Sequence, residues 1–574
     1  MNPDAPTTAP STPFFRPKLL DCLRDYSTSQ LFTDITAGAT VGIVALPLAM
    51  AFAIASGVKP EAGLFTAVIA GFIISALGGS RVQIGGPTGA FVVIVYGILA
   101  KHGAANLAIC TIMAGAMLLV LGATKLGTVI KFIPYPVTMG FTSGIAVLIF
   151  STQIKDFLGL QVENVPADFI DKIRVLGEHL FTAQGPTVAL AAASLLVIVL
   201  WPGNWARRIP GSIVALVLGT AAVMMVHLPV ETIGTRFGGI PQGLPKMQLP
   251  TVAWSDLQNL FQPALTIAIL AAIESLLSAV VADGMIDDRH DSNQELMAQG
   301  IANMVCPLFG GIAATGAIAR TATNVKTGGR TPVAGMVHAL TLLVILLVAA
   351  PLAKFIPLAT LSAVLVVVAY NMGEWHHFTR LRKWPKSDAA VFLAVFALTV
   401  LINLTVAVEF GMVLAAVLFI RRVTETTHIM EVDERTDTEG AHHSLVGKEV
   451  PEGVLIFRVF GAFFFGAADK LETALKRAHQ EPKILILRMR KVLAMDATGL
   501  NALEDLHEKL TRRHRHLILS GPHTQPYLMM DRAGFLDALG RDNVCPHIDA
   551  SLERARAILA SSSASPPAEA LQAK

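Results

Sequence analysis

Two charged side chains lie inside long apolar stretches of this sequence. Glu274 is the only charged residue from Pro263 to Ala282, and Arg320 ends the glycine-rich segment GGIAATGAIAR at 310–320. A buried carboxyl group can bind and release a proton, and a guanidinium group matches the geometry of a carboxylate or a sulfate. Together these residue types indicate the binding of an anion that is coupled to protons.

Neither residue has a single interpretation. Glu274 could carry the coupling proton, form a fixed ion pair with Arg320, or bind a cation. Arg320 could attract an anionic substrate, or it could serve only as the static partner of Glu274. An arginine at membrane depth costs about 2.5–3.5 kcal/mol on insertion scales, so such a residue usually faces a partner or an aqueous cavity.

Two glycine-rich segments suggest how an anion would be held. GGPTGAF at 85–91 and GGIAATGAIAR at 310–320 each precede a short apolar run, so a helix can begin there inside the membrane. The unpaired N–H groups of such a helix carry a partial positive charge of about half a unit, which attracts anions. The alternative is that the glycines only allow close helix packing. A Thr-Gly-Ala triplet from each segment is expected to line the site: Thr88, Gly89 and Ala90 from the first, and Thr315, Gly316 and Ala317 from the second.

The composition places these segments in a membrane. The 574 residues are 53% hydrophobic and 15% charged, with a mean hydropathy of +0.58, whereas soluble domains average about 25% charged residues. Apolar runs long enough for a helix to cross the hydrocarbon core recur from 34 to 422. We predict a polytopic α-helical membrane protein rather than a large soluble helical one. The formal charge of +3 gives no reason to expect nucleic acid as a partner.

The predicted membrane domain, residues 34–422, contains twelve strong apolar spans and two weak ones that follow the glycine-rich segments. The motif KFIP occurs at 131–134 and again at 354–357, which suggests that residues 34–228 and 262–422 are related halves. Seven spans in each half is an odd number, so the second half must have the opposite orientation. Fourteen transmembrane segments in a seven-plus-seven inverted repeat with broken helices are typical of secondary transporters.

Basic residues in the loops predict the orientation of the chain. Arg207–Arg208, the cluster from Arg380 to Lys386 and Arg421–Arg422 all fall on the side of the N-terminus, as the positive-inside rule requires. The leader at 1–33 lacks the apolar segment that a signal peptide contains. We therefore expect an inner-membrane protein whose N- and C-termini both lie in the cytoplasm.

Other reactive residue types give no indication of an enzyme. The four cysteines are far apart, and the His376–His377 pair has no further ligand assigned to it, so neither a metal nor a cofactor is expected. His338 is predicted to be a packed, hydrogen-bonded histidine. The sequence has no nucleophile elbow, phosphate-binding loop or HExxH motif, so we predict that the chain is not an enzyme and does not itself use ATP.

The C-terminal region has the composition of a soluble domain. Residues 450–560 alternate short β-rich runs with amphipathic helices, which predicts a small α/β domain. A polar linker at 423–449 precedes it, and the tail at 561–574, rich in Ala, Ser and Pro, is expected to be disordered. Thr498 is expected to cap the helix that begins in the segment DATG, and its hydroxyl is also a candidate phosphorylation site.

Several stretches resemble one family of transporters, the sulfate permease (SulP) family. They are DITAGATVGIVALPLAMAFAIASGV, GFTSGI, IESLLSA and the two glycine-rich segments, while the C-terminal region resembles the family's STAS domain, with MDATG at the position of a DSSG-like loop. The resemblance implies fourteen spans divided into a core and a gate domain, an anion site between the third and tenth helices, and a homodimer. It also implies a cytosolic partner for the STAS domain, such as acyl carrier protein.

The resemblance further assigns residues to the site and a substrate to the protein. The first helix contributes Ala45, Leu46 and Pro47, the third Thr88 to Ala90, the eighth Glu274 and the nearby Ser278, and the tenth Gly316 to Arg320. Ile318 occupies the position at which sodium-coupled bicarbonate members have a small hydroxyl, which argues against sodium. The resemblance is strongest to members that carry C4-dicarboxylates such as succinate, fumarate and aspartate together with protons. We therefore expect proton-coupled dicarboxylate uptake, with sulfate or bicarbonate transport or anion exchange as the alternative.

Overall fold

A computed structural model describes residues 15–130, 134–162, 165–202, 209–243, 246–250, 254–402, 404–426, 428–432, 445, 447–464, 470–471, 473 and 482–563. Several predicted features lie outside these ranges: most of the first KFIP copy, Arg207–Arg208, most of the linker and residues 564–574. The chain divides into two compact units, Met1–Ala415 and Ala416–Lys574.

The first unit is built almost entirely of helices. The described α-helices, in chain order, are α1 Lys18–Cys22, α2 Thr28–Ala55, α3 Pro60–Leu77, α4 Gly89–Ala123, α5 Gly127–Ile130, α6 Tyr135–Leu158, α7 Phe169–Glu178, α8 Gly185–Leu200, α9 Gly211–Val226, α10 Ile233–Phe237, α11 Trp254–Ile286, α12 Ser292–Val305, α13 Ile318–Lys326, α14 Pro332–Ala353, α15 Leu358–Met372, α16 His376–Arg380, α17 Lys386–Leu401 and α18 Leu404–Thr426. Two short strands, β1 Gly85–Gly86 and β2 Thr315–Gly316, precede α4 and α13.

These helices give the predicted number of membrane segments. Among the described residues, seven helices are long and apolar enough to cross a membrane, namely α2, α3, α4, α6, α11, α14 and α15 with its extension to Lys383. Helix α4 counts twice, because Gly103 interrupts it with a non-helical backbone at φ 81°. Six further helices, α8, α9, α12, α13, α17 and α18, complete fourteen segments in the described part of the chain.

Helix packing shows the twofold relation between the halves. Helix α2 packs on α14, and its counterpart α11 packs on the second part of α4. Likewise, the contact of α3 with α14 corresponds to that of α12 with α4, and the contact of α6 with α17 corresponds to that of α15 with α8. Exchanging the two halves therefore maps one set of contacts onto the other, as expected for a seven-plus-seven repeat.

The same contacts separate two bundles within the first unit. The core bundle contains α2, α3, α4 and α11 to α14, and the gate bundle contains α6, α8, α9, α15 and α17. Small residues allow the close approach in both bundles. A Cβ built at Gly115 would lie 2.6 Å from the carbonyl oxygen of Gly300, and one built at Gly140 would lie 2.5 Å from that of Phe392. Close packing thus accounts for these glycines, which lie outside the two glycine-rich segments.

The second unit contains a five-stranded sheet in the order β3-β4-β5-β6-β7. The sheet is parallel except for β3, which pairs antiparallel with β4. Alternate residues of β5 face opposite sides, so Leu485 and Leu487 pack in one core while Ile484 and Ile486 pack in another. The strands are β3 His428–Glu431, β4 Val454–Phe460, β5 Ile484–Lys491, β6 His516–Ser520 and β7 Val544–Cys545, and the described helices are α19 Ala497–Thr511, α20 Thr524–Arg532, α21 Phe535–Leu539 and α22 Ile548–Ser563.

The predicted cap of α19 is wrong by two residues. The N-cap is Asp496, whose extended backbone lets its carboxylate accept a hydrogen bond of 2.8 Å from the Gly499 N–H. Thr498 is the second helical residue, so its backbone is already helical and its side chain is exposed. The regulatory role that the sequence suggested for Thr498 stays a prediction.

Replacing the true cap is expected to loosen α19 locally. Asp496→Ala should cost about 0.5–2 kcal/mol of helix stability, because the Gly499 N–H loses its acceptor. Hydrogen–deuterium exchange of the peptides that cover α19, measured on the full-length chain, checks this result. Thr498→Ala is the matched control and is expected to leave the exchange of the same peptides unchanged. The reverse order of effects would restore Thr498 as the cap.

Candidate functional site

The two broken helices begin side by side. Strands β1 and β2 pair antiparallel, with Gly85 opposite Gly316 and Gly86 opposite Thr315. The Ala317 N–H extends this pairing by donating a hydrogen bond of 2.8 Å to the Ile84 carbonyl oxygen. Because each strand leads directly into a helix, the N-termini of α4 and α13 lie next to each other. We call this arrangement of β1, β2 and the two helix N-termini the crossing.

Both helix N-termini at the crossing lack a side-chain cap. The N-cap residues are Thr88 for α4 and Ala317 for α13, and neither donates or accepts a capping hydrogen bond through its side chain. The first N–H groups of a helix have no partner within the helix, and they carry its partial positive charge. The crossing therefore presents two uncapped, electropositive helix ends in one place.

The Arg320 side chain adds a full positive charge to the crossing. Arg320 is only 3% exposed, and its Nη2 donates a hydrogen bond to the carbonyl oxygen of Pro87, just before the start of α4. Its Nη1 is buried without a hydrogen-bond partner among the described residues, as is the hydroxyl oxygen of Thr88. A buried donor without a partner is costly, so a ligand that accepts a hydrogen bond is favoured here.

Gly86 leaves room for this guanidinium group. Its φ of 150° lies in a region that favours glycine, and a Cβ at this position would overlap Nη1 of Arg320. The glycine before the broken helix thus has a steric function in addition to starting the helix. It lets the arginine of one half reach the backbone of the other half.

Polar residues that the sequence reasoning missed hold the crossing together. Ser275 on α11 binds β2 twice, since its hydroxyl lies 2.6 Å from that of Thr315 and accepts a hydrogen bond of 3.1 Å from the Gly316 N–H. The Gln83 side-chain amide donates to the Ser275 carbonyl oxygen at 3.0 Å. The available signals were that Ser275 directly follows Glu274 and that Gln83 precedes the glycines of GGPTGAF.

The Ser278 hydroxyl contacts Thr321 and does not contact the N-termini of α4 and α13 among the described hydrogen bonds. The two hydroxyl oxygens are 3.4 Å apart, and the Thr321 hydroxyl accepts a hydrogen bond of 3.0 Å from the Ile84 N–H. Ser278 therefore supports the strand that precedes α4. Its position agrees with a supporting role, while its role in transport stays a prediction.

Glu274 lies on α11 beside the serine that holds β2. The residue is 7% exposed, and its side chain makes no hydrogen bond and no ion pair within 4.0 Å to any residue that the structure describes. The fixed ion pair with Arg320, one of three roles left open by the sequence, is therefore not formed in the described part of the chain. The carboxyl group is therefore buried without a polar partner among the described residues.

The three residues assigned to the first helix occupy two environments. Ala45 and Pro47 are buried within α2, whereas Leu46 lines an apolar pocket together with Met50 and Leu216. No described contact joins these three residues to Arg320. Instead, α2 approaches the crossing through Phe52, whose ring lies 3.3 Å from a Cβ built at Gly89.

A methyl group at Gly316 is expected to disrupt the crossing. Its Cβ would overlap the Gln83 amide and lie 3.2 Å from the Ser275 Cα, so Gly316→Ala should destabilise the chain by about 1–3 kcal/mol. Gly97 in α4 is the matched control, because nothing lies within 4 Å of a Cβ built there. Gly97→Ala should be neutral or stabilising by about 0.5–1 kcal/mol. Thermal unfolding of both variants in one detergent checks the pair, and equal losses would contradict the packing described for β2.

One prediction about the histidines is wrong. His338 is fully buried, as expected of a packed histidine, and its hydrogen bond stays a prediction. The His376–His377 pair does have a further ligand nearby, because a Glu374 carboxylate oxygen lies 3.0 Å from Nε2 of His377. The backbone turn that brings Glu374 back to the rings was not evident from the sequence.

Comparison with known proteins identifies the two units. The model of the sulfate permease family matches residues 31–395, and the model of the STAS domain matches residues 446–555. YvdB of Bacillus subtilis (strain 168), which has a provisional assignment as a sulfate transporter, is 43% identical over 92% of this chain and 98% of its own. The bicarbonate transporter BicA of Picosynechococcus is 33% identical over 85% of this chain and 88% of its own.

A solved structure confirms the fold. The murine Slc26a9 anion transporter in its inward-facing state aligns with a TM-score of 0.83, at 18% identity, over 96% of this chain and 97% of that one. At this identity the likeness concerns the fold alone, and it confirms the predicted helical transporter architecture. The matched families and the paired broken helices lead to one conclusion: the chain belongs to the sulfate permease family of anion transporters and carries a C-terminal STAS domain.

Proposed function

We propose that this protein is a secondary active transporter that holds a small inorganic oxyanion at the crossing. The observation that carries the proposal is the free Nη1 of the buried Arg320, placed where two uncapped helix N-termini meet. An oxyanion there would accept hydrogen bonds from Nη1, from the Thr88 hydroxyl and from backbone N–H groups. Nη1 and the Thr88 hydroxyl would each gain a partner that they lack among the described residues.

The positive charge at the crossing favours a compact anion. Among the described residues of the first unit, Arg320 is the only buried arginine and Lys172 the only buried lysine. Lys172 belongs to α7, where its Nζ lies 5.8 Å from the centroid of the Tyr96 ring. A C4-dicarboxylate has two separated carboxylates and would need a second group of hydrogen-bond donors, several ångströms from the first. Sulfate or bicarbonate needs only one group of donors, and the relatives compared above are named for these anions. We therefore place sulfate and bicarbonate ahead of the dicarboxylates that the sequence suggested.

We further propose that Glu274 carries the coupling proton. The side chain is buried without a partner in the described structure, and it adjoins Ser275, which binds β2 directly. Protonation of Glu274 can thus change the crossing through a single residue, Ser275. Sodium coupling is disfavoured because Ile318 is apolar and supplies no oxygen ligand to a cation that prefers oxygen.

Uptake into proteoliposomes tests this function. The full-length chain is reconstituted, and labelled sulfate, bicarbonate, succinate, fumarate and aspartate are offered with an imposed proton gradient or a sodium gradient. The proposal expects proton-driven accumulation of sulfate or bicarbonate. Accumulation of succinate alone would reject the proposed substrate class, and accumulation driven only by sodium would reject Glu274 as the coupling group.

Other features implied by the family resemblance stay predictions. They concern the homodimer, the inner membrane as location, the cytoplasmic position of both termini and a cytosolic partner of the STAS domain such as acyl carrier protein. Crosslinking of the reconstituted protein would address the homodimer, and protease protection in intact cells would address the position of the termini. The proposed anion site depends on none of them, because every residue that forms it belongs to the first unit.

A further inference from the structure

We propose that Glu374, His376 and His377 form a binding site for a divalent transition-metal ion such as Zn²⁺. The three side chains each offer one ligand atom, and these atoms all lie within 4.8 Å of one another. Two imidazole nitrogens and one carboxylate oxygen form a ligand set that zinc uses when it keeps a fourth position open. This site is separate from the crossing and has no part in the proposed anion binding.

The distances between the ligand atoms fit a tetrahedral ion. The Glu374 Oε2 lies 3.0 Å from Nε2 of His377 and 3.9 Å from Nε2 of His376. Zinc–ligand bonds of about 2.0–2.1 Å with tetrahedral angles place ligand atoms about 3.4 Å apart. The two observed distances lie on either side of this value, so rotations of exposed side chains are sufficient to complete the geometry.

The backbone explains why three residues so close in sequence converge. Helix α15 ends at Met372, and Glu374 adopts a left-handed conformation with φ 44° that turns its side chain back toward the start of α16. His376 and His377 are the first two residues of α16, and their ring centroids are 3.9 Å apart. Both Nε2 atoms therefore face the same carboxylate.

The surroundings hold one ligand firmly and leave the others open. The His377 side chain is 7% exposed, whereas those of His376 and Glu374 are 55% and 40% exposed. The Tyr135 hydroxyl lies 2.9 Å from Nε2 of His377, and the Trp384 ring centroid lies 5.6 Å from that of His377. A metal ion bound to Nε2 of His377 would replace the hydrogen bond from the Tyr135 hydroxyl, which would then lie next to the fourth coordination position. The ion could enter from solvent on the side of the exposed His376 and Glu374.

Two charged groups of opposite sign lie near the proposed metal site. Glu374 supplies one negative charge, while Arg380 at the end of α16 supplies an opposing positive charge within range of Tyr135. A metal ion would bind the neutral form of both imidazoles. Bound metal would also connect α15 and α16 with Tyr135, the first residue of α6, and so join three helices around the gate bundle.

Cobalt binding to the full-length chain tests the proposal without any transport measurement, so its failure is distinct from failure of the anion site. The protein is purified through a tag without histidines and treated with a chelator, and Co²⁺ is then titrated while visible absorption and tryptophan fluorescence are recorded. We expect saturable binding of one equivalent, displacement by Zn²⁺ and quenching of tryptophan fluorescence, since Trp384 lies nearby.

Variants decide whether the three residues form the site. Glu374→Gln and His376→Ala change exposed side chains and should abolish the cobalt spectrum, while Tyr135→Phe should keep it, because the metal ion replaces the Tyr135 hydrogen bond to His377. His523→Ala, an exposed histidine of the second unit, is the control and should bind as the unmodified chain does. Absence of saturable binding in the unmodified chain, or equal binding in the first two variants and the control, would overturn the proposal.

Discussion

Arg320→Gln is expected to lower kcat/KM for anion uptake by about a hundredfold. The substitution removes the only buried guanidinium group in the described part of the first unit, together with its hydrogen bond to the Pro87 carbonyl oxygen. Loss of one partner from a buried, hydrogen-bonded charge pair costs about 2–5 kcal/mol, and every 1.4 kcal/mol is a factor of ten. Initial rates of labelled anion uptake into proteoliposomes measure the effect.

The control for this variant lies on the same helix. Lys326 is exposed near the end of α13, so Lys326→Gln changes the charge of the helix equally without altering the crossing. It should leave kcat/KM within a factor of two or so, because exposed charges contribute about 0–1 kcal/mol. Arg320→Lys adds a second comparison, since lysine keeps the charge but loses the planar fork. Normal uptake by Arg320→Gln would show that the arginine has only a structural role.

Glu274→Gln is expected to abolish accumulation against a gradient while anion exchange continues. Glutamine has the size of glutamate and the side chain makes no described contact that would be lost, so the fold should persist. A neutral amide cannot take up and release a proton, and a proton gradient then has nothing to act upon. Two assays on one preparation check the result: pH-driven uptake and exchange of internal against external labelled anion at equal pH.

Glu409→Gln serves as the matched control for Glu274→Gln. Glu409 also lies on a membrane helix but is exposed, so its replacement should leave both assays unchanged. If Glu274→Gln retained accumulation driven by the proton gradient, Glu274 would not be the coupling group. If it lost exchange as well, the carboxylate would be needed for anion binding itself.

The helical architecture could be predicted because each part of it has a local signal. Apolar length gave the membrane helices, and the recurrence of Thr-Gly-Ala at 88–90 and 315–317 indicated two related broken helices. Their pairing as strands follows physically, because two backbones without side chains at Gly85 and Gly316 can approach within hydrogen-bonding distance. The sequence placed Arg320 one turn into a helix that begins near Thr315, whereas α13 begins at Ile318, only two residues before Arg320.

The contacts that complete the site had no local signal. Ser275 and Gln83 are distant in sequence from the strand they stabilise, and serine or glutamine in an apolar run has several common roles. The cap of α19 depended on which of two capping residues, Asp496 or Thr498, has the extended backbone, and only the structure shows this. The Glu374 carboxylate was overlooked because a left-handed residue that is not glycine is rarely anticipated.

The substrate was the part least accessible from residues. Members of one fold can carry different anions with few changes in the pocket, so a resemblance in motifs does not identify the cargo. The single guanidinium group at the crossing is a stronger argument, because it supplies hydrogen-bond donors at one place only. It favours one compact anion over two carboxylates separated by a carbon chain.

A crystal structure with bound selenate tests the central claim most directly, because selenate resembles sulfate and selenium gives an anomalous signal. The full-length protein would be crystallised in selenate at a concentration that saturates inhibition of uptake. We predict one strong peak within hydrogen-bonding distance of Nη1 of Arg320, between the N-termini of α4 and α13. A peak elsewhere in the membrane unit, with the crossing unoccupied, would contradict the account.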